Sequence, residues 1–343
     1  MSRESVTGST ALGQRLARSR QSPAYQSYLR ARDHVMAMTA TASTSTPSAY
    51  WREELANFEY MLDASPLVIE KLRHHSFHVT GLRVYDYRSN REQARKRFAK
   101  KLRAMRKRIG DTLLVPESRL LGGFGFEIEG QLYNVDTLKF YEALAALERG
   151  AVLGEFRNNQ DRRLVWEIGA GWGGFAYQFK TLCPNTTYVI VDLPELFLFS
   201  ATYLMSAFPK ARVAFSSERS NGQLSNRWSE FDFIFVSNAD LHALEPPRVD
   251  LTINMVSFQE MTTEQVDAYA RRAFELRSPA LYSLNRERSS YNRELTSVGE
   301  VLERYYWLHE TKVMPVGYQK MLDEEPSPTD YRHLIGWRRV KID

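Results

Sequence analysis

The spacing of apolar positions changes character once along this chain. Before about residue 150 they recur at intervals of three and four, as on one face of a helix. Trp51, Leu55, Phe58 and Leu62 form one such set, and Phe98, Leu102, Met105 and Ile109 form another. Ser65-Pro66 reads as an N-cap followed by proline in the first helical position. A helix is predicted from Thr137 to about Glu148, closed by Gly150 as a C′ glycine. From Leu164 onward the apolar residues come instead in short continuous runs, at 164–168, 188–191, 231–236, 251–254 and 280–284. Helix-like stretches separate several of them, at 175–182, 194–208 and 263–276. Strands of this kind alternating with helices predict a parallel sheet with right-handed crossovers. Two further runs, 307–314 and 331–340, are joined by a loop rather than a helix.

Three regions follow. Residues 1–48 are expected to be a flexible leader with one short helix near Tyr25–Met36. Its 39–48 stretch of Thr, Ser, Ala and Pro cannot bury enough apolar surface to offset ordering. Residues 49–150 are expected to be a mainly helical domain, and residues 151–343 an α/β domain.

Composition adds exclusions. Of the 343 residues, 43% are hydrophobic and 25% charged, which argues against a disordered or fibrous chain. The single cysteine, Cys183, rules out an intrachain disulfide and any Cys-based zinc cluster, and fits a reducing, cytoplasmic setting. No run approaches the roughly 18 apolar residues of a membrane span, so no membrane partner is expected. The first twenty residues lack the apolar segment of a secretory signal.

The net charge is +5, but it is unevenly placed. Eleven basic residues and one acid, Glu92, lie between Arg88 and Arg108; this local +10 leaves −5 for the rest. The stripe through Phe98 makes the segment an amphipathic helix with cationic outer faces. Such a surface suits an acidic or phosphate-bearing partner. Phe98 is its one aromatic residue, too few for the stacking that single-stranded nucleic acid uses, so nucleic acid is not expected.

The most informative segment is Glu167-Ile168-Gly169-Ala170-Gly171-Trp172-Gly173-Gly174, between a predicted strand and a predicted helix. Glycines let the backbone approach a ligand closely, and a helix N-terminus offers free N–H groups. Asp192 closes the next strand, where a carboxylate can accept both hydroxyl hydrogens of a ribose. The Gly-x-Gly-x-Gly-Gly spacing departs from the pyrophosphate fingerprint Gly-x-Gly-x-x-Gly. Glu167 just before the turn also repels phosphate and suits an ammonium. S-adenosylmethionine has an ammonium, a carboxylate, a ribose and a sulfonium, and no phosphate.

Glu167-x-Gly169-x-Gly171-x-Gly173, followed by Val189-Ile190-Val191-Asp192-Leu193-Pro194-Glu195, resembles the class I S-adenosylmethionine-dependent methyltransferases. Four further segments are similar to the sugar O-methyltransferases of bacterial glycan and natural-product gene clusters. They are His74-His75-Ser76-Phe77-His78 with Thr80-Gly81, Gly122-Gly123-Phe124-Gly125, Asn134-x-Asp136-Thr137-Leu138 with Tyr141, and Asp250-Leu251-x-x-Asn254-x-x-Ser257-Phe258-Gln259-Glu260-Met261. The resemblance implies a Rossmann-like, mostly parallel sheet with an antiparallel last strand and an N-terminal helical domain that covers the acceptor and forms a homodimer. It places Glu167, Gly169, Ala170 and Gly171 beside the methionine part of the cofactor. Asp192 then holds the ribose, Leu193 packs on the adenine, and Asn238 or Asp240 lies near the adenine amine. The implied acceptor is a hydroxyl of a sugar or glycosylated small molecule. A non-sugar or RNA acceptor, or a binding protein without turnover that docks through the basic helix, are the alternatives.

Methyl transfer to an alcohol needs an aligned oxygen and a group to take its proton. Glu260, past the end of the fourth strand of the resemblance, is the first candidate base, with Gln259 and Asn254 as orienting groups; Asn254 also faces the cofactor. His75, His78 and His242 are the other candidates, because a neutral imidazole is the commonest base near pH 7. No metal is assigned, although His75 and His78 on one helical face could begin a site with a carboxylate from elsewhere. The 122–125 loop with Asn134, Asp136 and Tyr141 is expected to form a lid.

Overall fold

The computed structural model describes residues 4–41, 47–218, 221–242, 244–287, 292–313 and 331–340. Eight strands form one sheet: β1 (Arg163–Ile168), β2 (Thr186–Asp192), β3 (Val213–Phe215), β4 (Phe233–Ser237), β5 (Leu251–Met255), β6 (Ala280–Asn285), β7 (Tyr306–Glu310) and β8 (Arg332–Arg338). Their order is β3-β4-β2-β1-β5-β6-β8-β7, and the pairs from β3 to β6 are parallel. β8 runs antiparallel to both β6 and β7. The fold is therefore a Rossmann-like α/β sheet, as the apolar runs predict, with an antiparallel strand late in the chain, as the resemblance implies. Edge strand β3 is additional; three residues long, it is too short to stand out by periodicity.

The strands are buried on both faces, and alternation sends successive residues to opposite cores. Leu164, Trp166 and Ile168 join one apolar cluster, while Val165, Tyr188 and Ile190 join the other. Thr263–Glu275 covers the first face. Gly174–Leu182 and Phe197–Ala207 cover the second.

That second core does not stop at residue 150. It includes Tyr28, Ala31, Val35 and Met38 on a helix from Pro23 to Thr41, and Leu138 and Leu144 on the helix Val135–Arg149. The expected leader is thus helical over Glu4–Arg20 and Pro23–Thr41, and the second of these lies along Phe197–Ala207. Tyr28 fixes it: its hydroxyl donates to Met61 O and accepts from Ala64 N, both at 2.9 Å. Residues 42–46 of the Thr/Ser-rich stretch lie outside the described residues.

The basic helix spans Glu92–Ile109 and buries Phe98, Leu102 and Met105. Arg106 bridges Asp111 and Glu129 at its C-terminal end. Gly150 caps its helix as expected, but with φ −77° it is not left-handed. A Cβ there would meet the Ile335 side chain at 1.9 Å, so close packing is what requires glycine. No described helix is long and apolar enough to cross a membrane.

Candidate active site

From β1 the chain crosses to β2 on one side, while β5 pairs with β1 on the other. In an open α/β sheet this switch point leaves a crevice outside the C-terminal strand ends. A cavity of about 330 Å³ occupies it. Strand order ranks its wall: Asn238 after β4, Asp192 and Leu193 at β2, Glu167 and the glycine turn at β1, Val256, Ser257 and Glu260 after β5, and Arg286 after β6. Tyr331 beside β8, Trp51 and Lys139 complete the part that bears on chemistry.

The glycine turn is squeezed from both sides. Gly169 has φ +71°, and a Cβ there would lie 2.1 Å from Ser257 Oγ. Gly171 has φ +59°, and its Cβ would lie 2.7 Å from Val79 Cγ1. A side chain at either position would both strain the backbone and displace a wall of the cavity.

Four carboxyls line this space, Asp136, Glu167, Asp192 and Glu260, and burial raises the last three. Glu167 is 1% exposed, and its one described partner is the Tyr188 hydroxyl, which donates at 2.9 Å. Burial pushes its pKa up to about 8, with the hydrogen bond opposing. Asp192 accepts from Gly171 N at 3.0 Å on one oxygen and from Leu193 N at 2.9 Å on the other. Burial still raises it to about 7. Each of its oxygens keeps a second lone pair for a ligand hydroxyl. Glu260 sits deep in the fold with one side open to the cavity, beside the Trp51 indole. Desolvation pushes it up to about 8.

A charged network that the sequence pattern does not reveal supports the turn from behind. Arg73 is fully buried, with Nε 2.8 Å from Glu117 and its guanidinium 3.3 Å from the centre of the Trp172 ring. The Trp172 indole donates to Asp136 Oδ2 at 3.0 Å, and Lys139 Nζ lies 2.9 Å from Asp136 Oδ1. Asp136 thereby ties the glycine turn to the first turn of helix Val135–Arg149 and aims Lys139 at the cavity. Its place in a segment of family resemblance was the available signal. Lys139, Trp51, Tyr269 and Arg286 had none.

Of the expected cofactor residues, Glu167, Gly169, Ala170, Gly171, Asp192, Leu193 and Asn238 line the cavity, and two do not. Asn254 is fully buried; its amide donates to Ile168 O at 2.8 Å, and its Oδ1 accepts from Phe258 N and from Asn285 Nδ2. It staples three strand ends together, fully buried and away from the cavity wall. Asp240 accepts from Ser216 Oγ at 2.8 Å outside the cavity. Asn238 differs from both, because its buried Oδ1 has no partner among the described residues.

Among the expected bases only Glu260 reaches the cavity. His75 and His78 fall on two one-turn helices broken at Ser76. His75 Nδ1 meets the Tyr60 hydroxyl at 2.7 Å, while His78 packs against the Phe77 ring. Val79 and Thr80, just beyond, are the residues of this segment that line the cavity. His242 is exposed in a turn outside it. Among the described residues, no cluster of three His, Cys, Asp or Glu side chains is placed to hold a metal ion.

The expected lid is also absent from the wall, except for Asp136. Asn134 caps its helix and donates to Phe124 O, which fastens the 122–125 loop beneath. Tyr141 donates to Gly110 O. Gln259 is buried, bonded to Arg286 N and to the Tyr331 hydroxyl.

No family model and no curated protein matches the chain. Among solved structures the chain shows partial likeness to the following. The bifunctional kinase-methyltransferase WbdD is 14% identical, with TM-score 0.36, over 60% of this chain and 38% of its own. The pyocyanin biosynthetic protein PhzM is 14% identical, with TM-score 0.33, over 57% of each chain. Phosphoethanolamine N-methyltransferase 2 of Haemonchus contortus, in complex with S-adenosyl-L-methionine, is 12% identical, with TM-score 0.35, over 61% of this chain and 58% of its own. Each match spans less than two thirds of that protein's length, and at these values the likeness carries no argument about activity.

Proposed function

We propose that this protein is an S-adenosylmethionine-dependent methyltransferase, and that its acceptor is a hydroxyl of a sugar or glycosylated small molecule. The carrying observation is the pair of buried carboxyls, Glu167 and Asp192, on either side of the glycine turn at the sheet's switch point. This pairing disfavours a pyrophosphate and suits a cationic ligand with a vicinal diol. The Asn238 oxygen left without a donor is a second point of fit, since an adenine amine supplies one. The close approach at Gly169 is a third.

In this reading Glu167 takes the ammonium, Lys139 the carboxylate and Asp192 the two ribose hydroxyls. When bound, the cofactor supplies an electrophilic methyl on a cationic sulfur. Glu260 removes the proton of the acceptor hydroxyl: the oxygen gains the methyl, and the proton passes to the carboxylate. Burial pushes the Glu260 carboxyl up to about 8, so its carboxylate is a stronger base than an ordinary one and becomes populated as pH rises through about 8. The sugar acceptor rests on the resemblance of the four segments, and the acid-lined cofactor end on the residues themselves.

Calorimetric titration with S-adenosylmethionine and then with NAD tests the reading. We expect S-adenosylmethionine to bind and NAD to be at least about a hundredfold weaker. Tight NAD binding, or none by S-adenosylmethionine, overturns it.

A further inference from the structure

Resting on that reading, we propose that Arg286 forms an oxyanion subsite, so that the acceptor carries a carboxylate or phosphate in addition to the hydroxyl that is methylated. Strand order supplies the first argument. Asp192 and Glu167 lie over β2 and β1, so the cofactor's two ends are accounted for by that part of the edge. Arg286 lies over β6, three strand positions from β2, or roughly 14 Å at the usual strand spacing. Glu260 sits between them, past β5. A molecule whose hydroxyl meets Glu260 and that extends away from the cofactor reaches Arg286 next.

The second argument is that Arg286 is held in place while one of its guanidinium N–H groups has no acceptor among the described residues. Its backbone N–H donates to Gln259 Oε1 at 3.0 Å, and its guanidinium lies 4.7 Å from the centre of the Tyr331 ring. Gln259 Nε2 in turn donates to the Tyr331 hydroxyl at 3.2 Å. Yet Arg286 Nε is buried with no hydrogen-bond partner among the described residues. The adjacent carboxylate cannot serve, because Glu287 is engaged by Arg332, Ser297 Oγ and Gly299 N. A buried guanidinium N–H without an acceptor is costly, and arginine cannot shed its charge. Its planar fork matches the two oxygens of a carboxylate or phosphate. Lys139, the other cation of the wall, lies 2.9 Å from Asp136 and is already assigned to the cofactor's carboxylate in this reading.

Full-length protein saturated with S-adenosylhomocysteine is titrated with D-glucuronate, D-glucose 6-phosphate and neutral D-glucose. At least one anion is expected to bind about tenfold or more tighter than glucose, and which one identifies the oxyanion. Arg286→Gln should erase the preference and Arg286→Lys should retain part of it. Both should bind S-adenosylhomocysteine within about twofold of wild type, which also reports correct folding. Comparison with Arg286→Gln removes anion binding to the basic helix, since that helix is unchanged. Equal or absent binding of the anions overturns the proposal, as does a preference that survives Arg286→Gln. Loss of S-adenosylhomocysteine binding in both folded variants also overturns it, by placing Arg286 on the cofactor's own carboxylate. If wild type binds no S-adenosylhomocysteine, the cofactor reading fails, and the same titration of ligand-free protein decides the subsite alone.

Discussion

The two ends of the cavity are built differently. At the β2–β1 end, Asp192 and the turn are held by main chain: Asp192 accepts two backbone N–H groups, and Gly169 and Gly171 have no side chain to move. Glu167 and Lys139 there rest on the Tyr188 and Asp136 side chains. At the β5–β6 end the ligand-facing groups are held by other side chains, Glu260 beside Trp51, and Arg286 by Gln259 and the Tyr331 ring. A main-chain cradle tolerates few single substitutions, whereas a side-chain wall can be rebuilt one residue at a time. The first construction suits a ligand common to many proteins, and the second a ligand peculiar to one.

The widest separation between the ends should come from Glu260→Gln. Methyl transfer, followed as S-adenosylhomocysteine release with any acceptor that turns over, should fall about 10²- to 10⁴-fold, with cofactor affinity nearly unchanged. A parallel loss of affinity would merge the two ends. The converse change is Gly169→Ala, which meets Ser257 Oγ and requires positive φ. It should lower stability by about 2 kcal/mol and weaken S-adenosylmethionine binding by about tenfold or more, read by thermal melting and calorimetry.

A smaller effect should appear with pH. Glu167, Asp192 and Glu260 keep their protons up to about pH 7 to 8 when folded, but lose them from about pH 4 when unfolded. The folded state therefore binds more protons across that interval, and the ligand-free protein should lose stability as pH rises from about 4.5 to 8. Glu218 and Asp232, lowered to about 2, contribute in the opposite sense, but only below that interval. Binding of a cation has the reverse dependence: affinity for S-adenosylmethionine should rise between about pH 6.5 and 8.5, with protons released. Calorimetry in buffers of different ionisation enthalpy reads that release, and a flat profile would remove the acid-lined end from the account. The smallest effect is expected for His78→Ala, with turnover within about twofold of wild type, because this ring packs on Phe77 outside the cavity. A drop of about tenfold would return the histidine to the acceptor end.

The same contrast decides what could be read from the chain. Glu167, the glycines and Asp192 fall within one βαβ unit, where strand period and turn chemistry place every side chain, and Asn238 is reachable by counting to the next strand end. Asn254 occupies an equivalent position, but whether its amide serves a ligand or staples β1 and β6 depends on partners that periodicity does not reveal. His75 and His78 show the same limit, since spacing sets a face only if the helix continues, and it breaks at Ser76. Lys139, Trp51 and Arg286 converge from three distant elements, and one sequence carries no sign of that. Tyr28, Ala31, Val35 and Met38 were different: their three-four-three spacing was visible, and their small and polar neighbours concealed it.

That helix has a consequence for biosynthesis. Its apolar stripe is made first, but the surface that covers it, Phe197–Ala207, emerges roughly 170 residues later. At translation rates of about 5–20 residues per second, the stripe is exposed for roughly 10 to 30 seconds. The nascent chain is therefore a client for whatever shields apolar helices at the ribosome, and its yield in a cell should follow elongation rate more closely than its final stability would suggest.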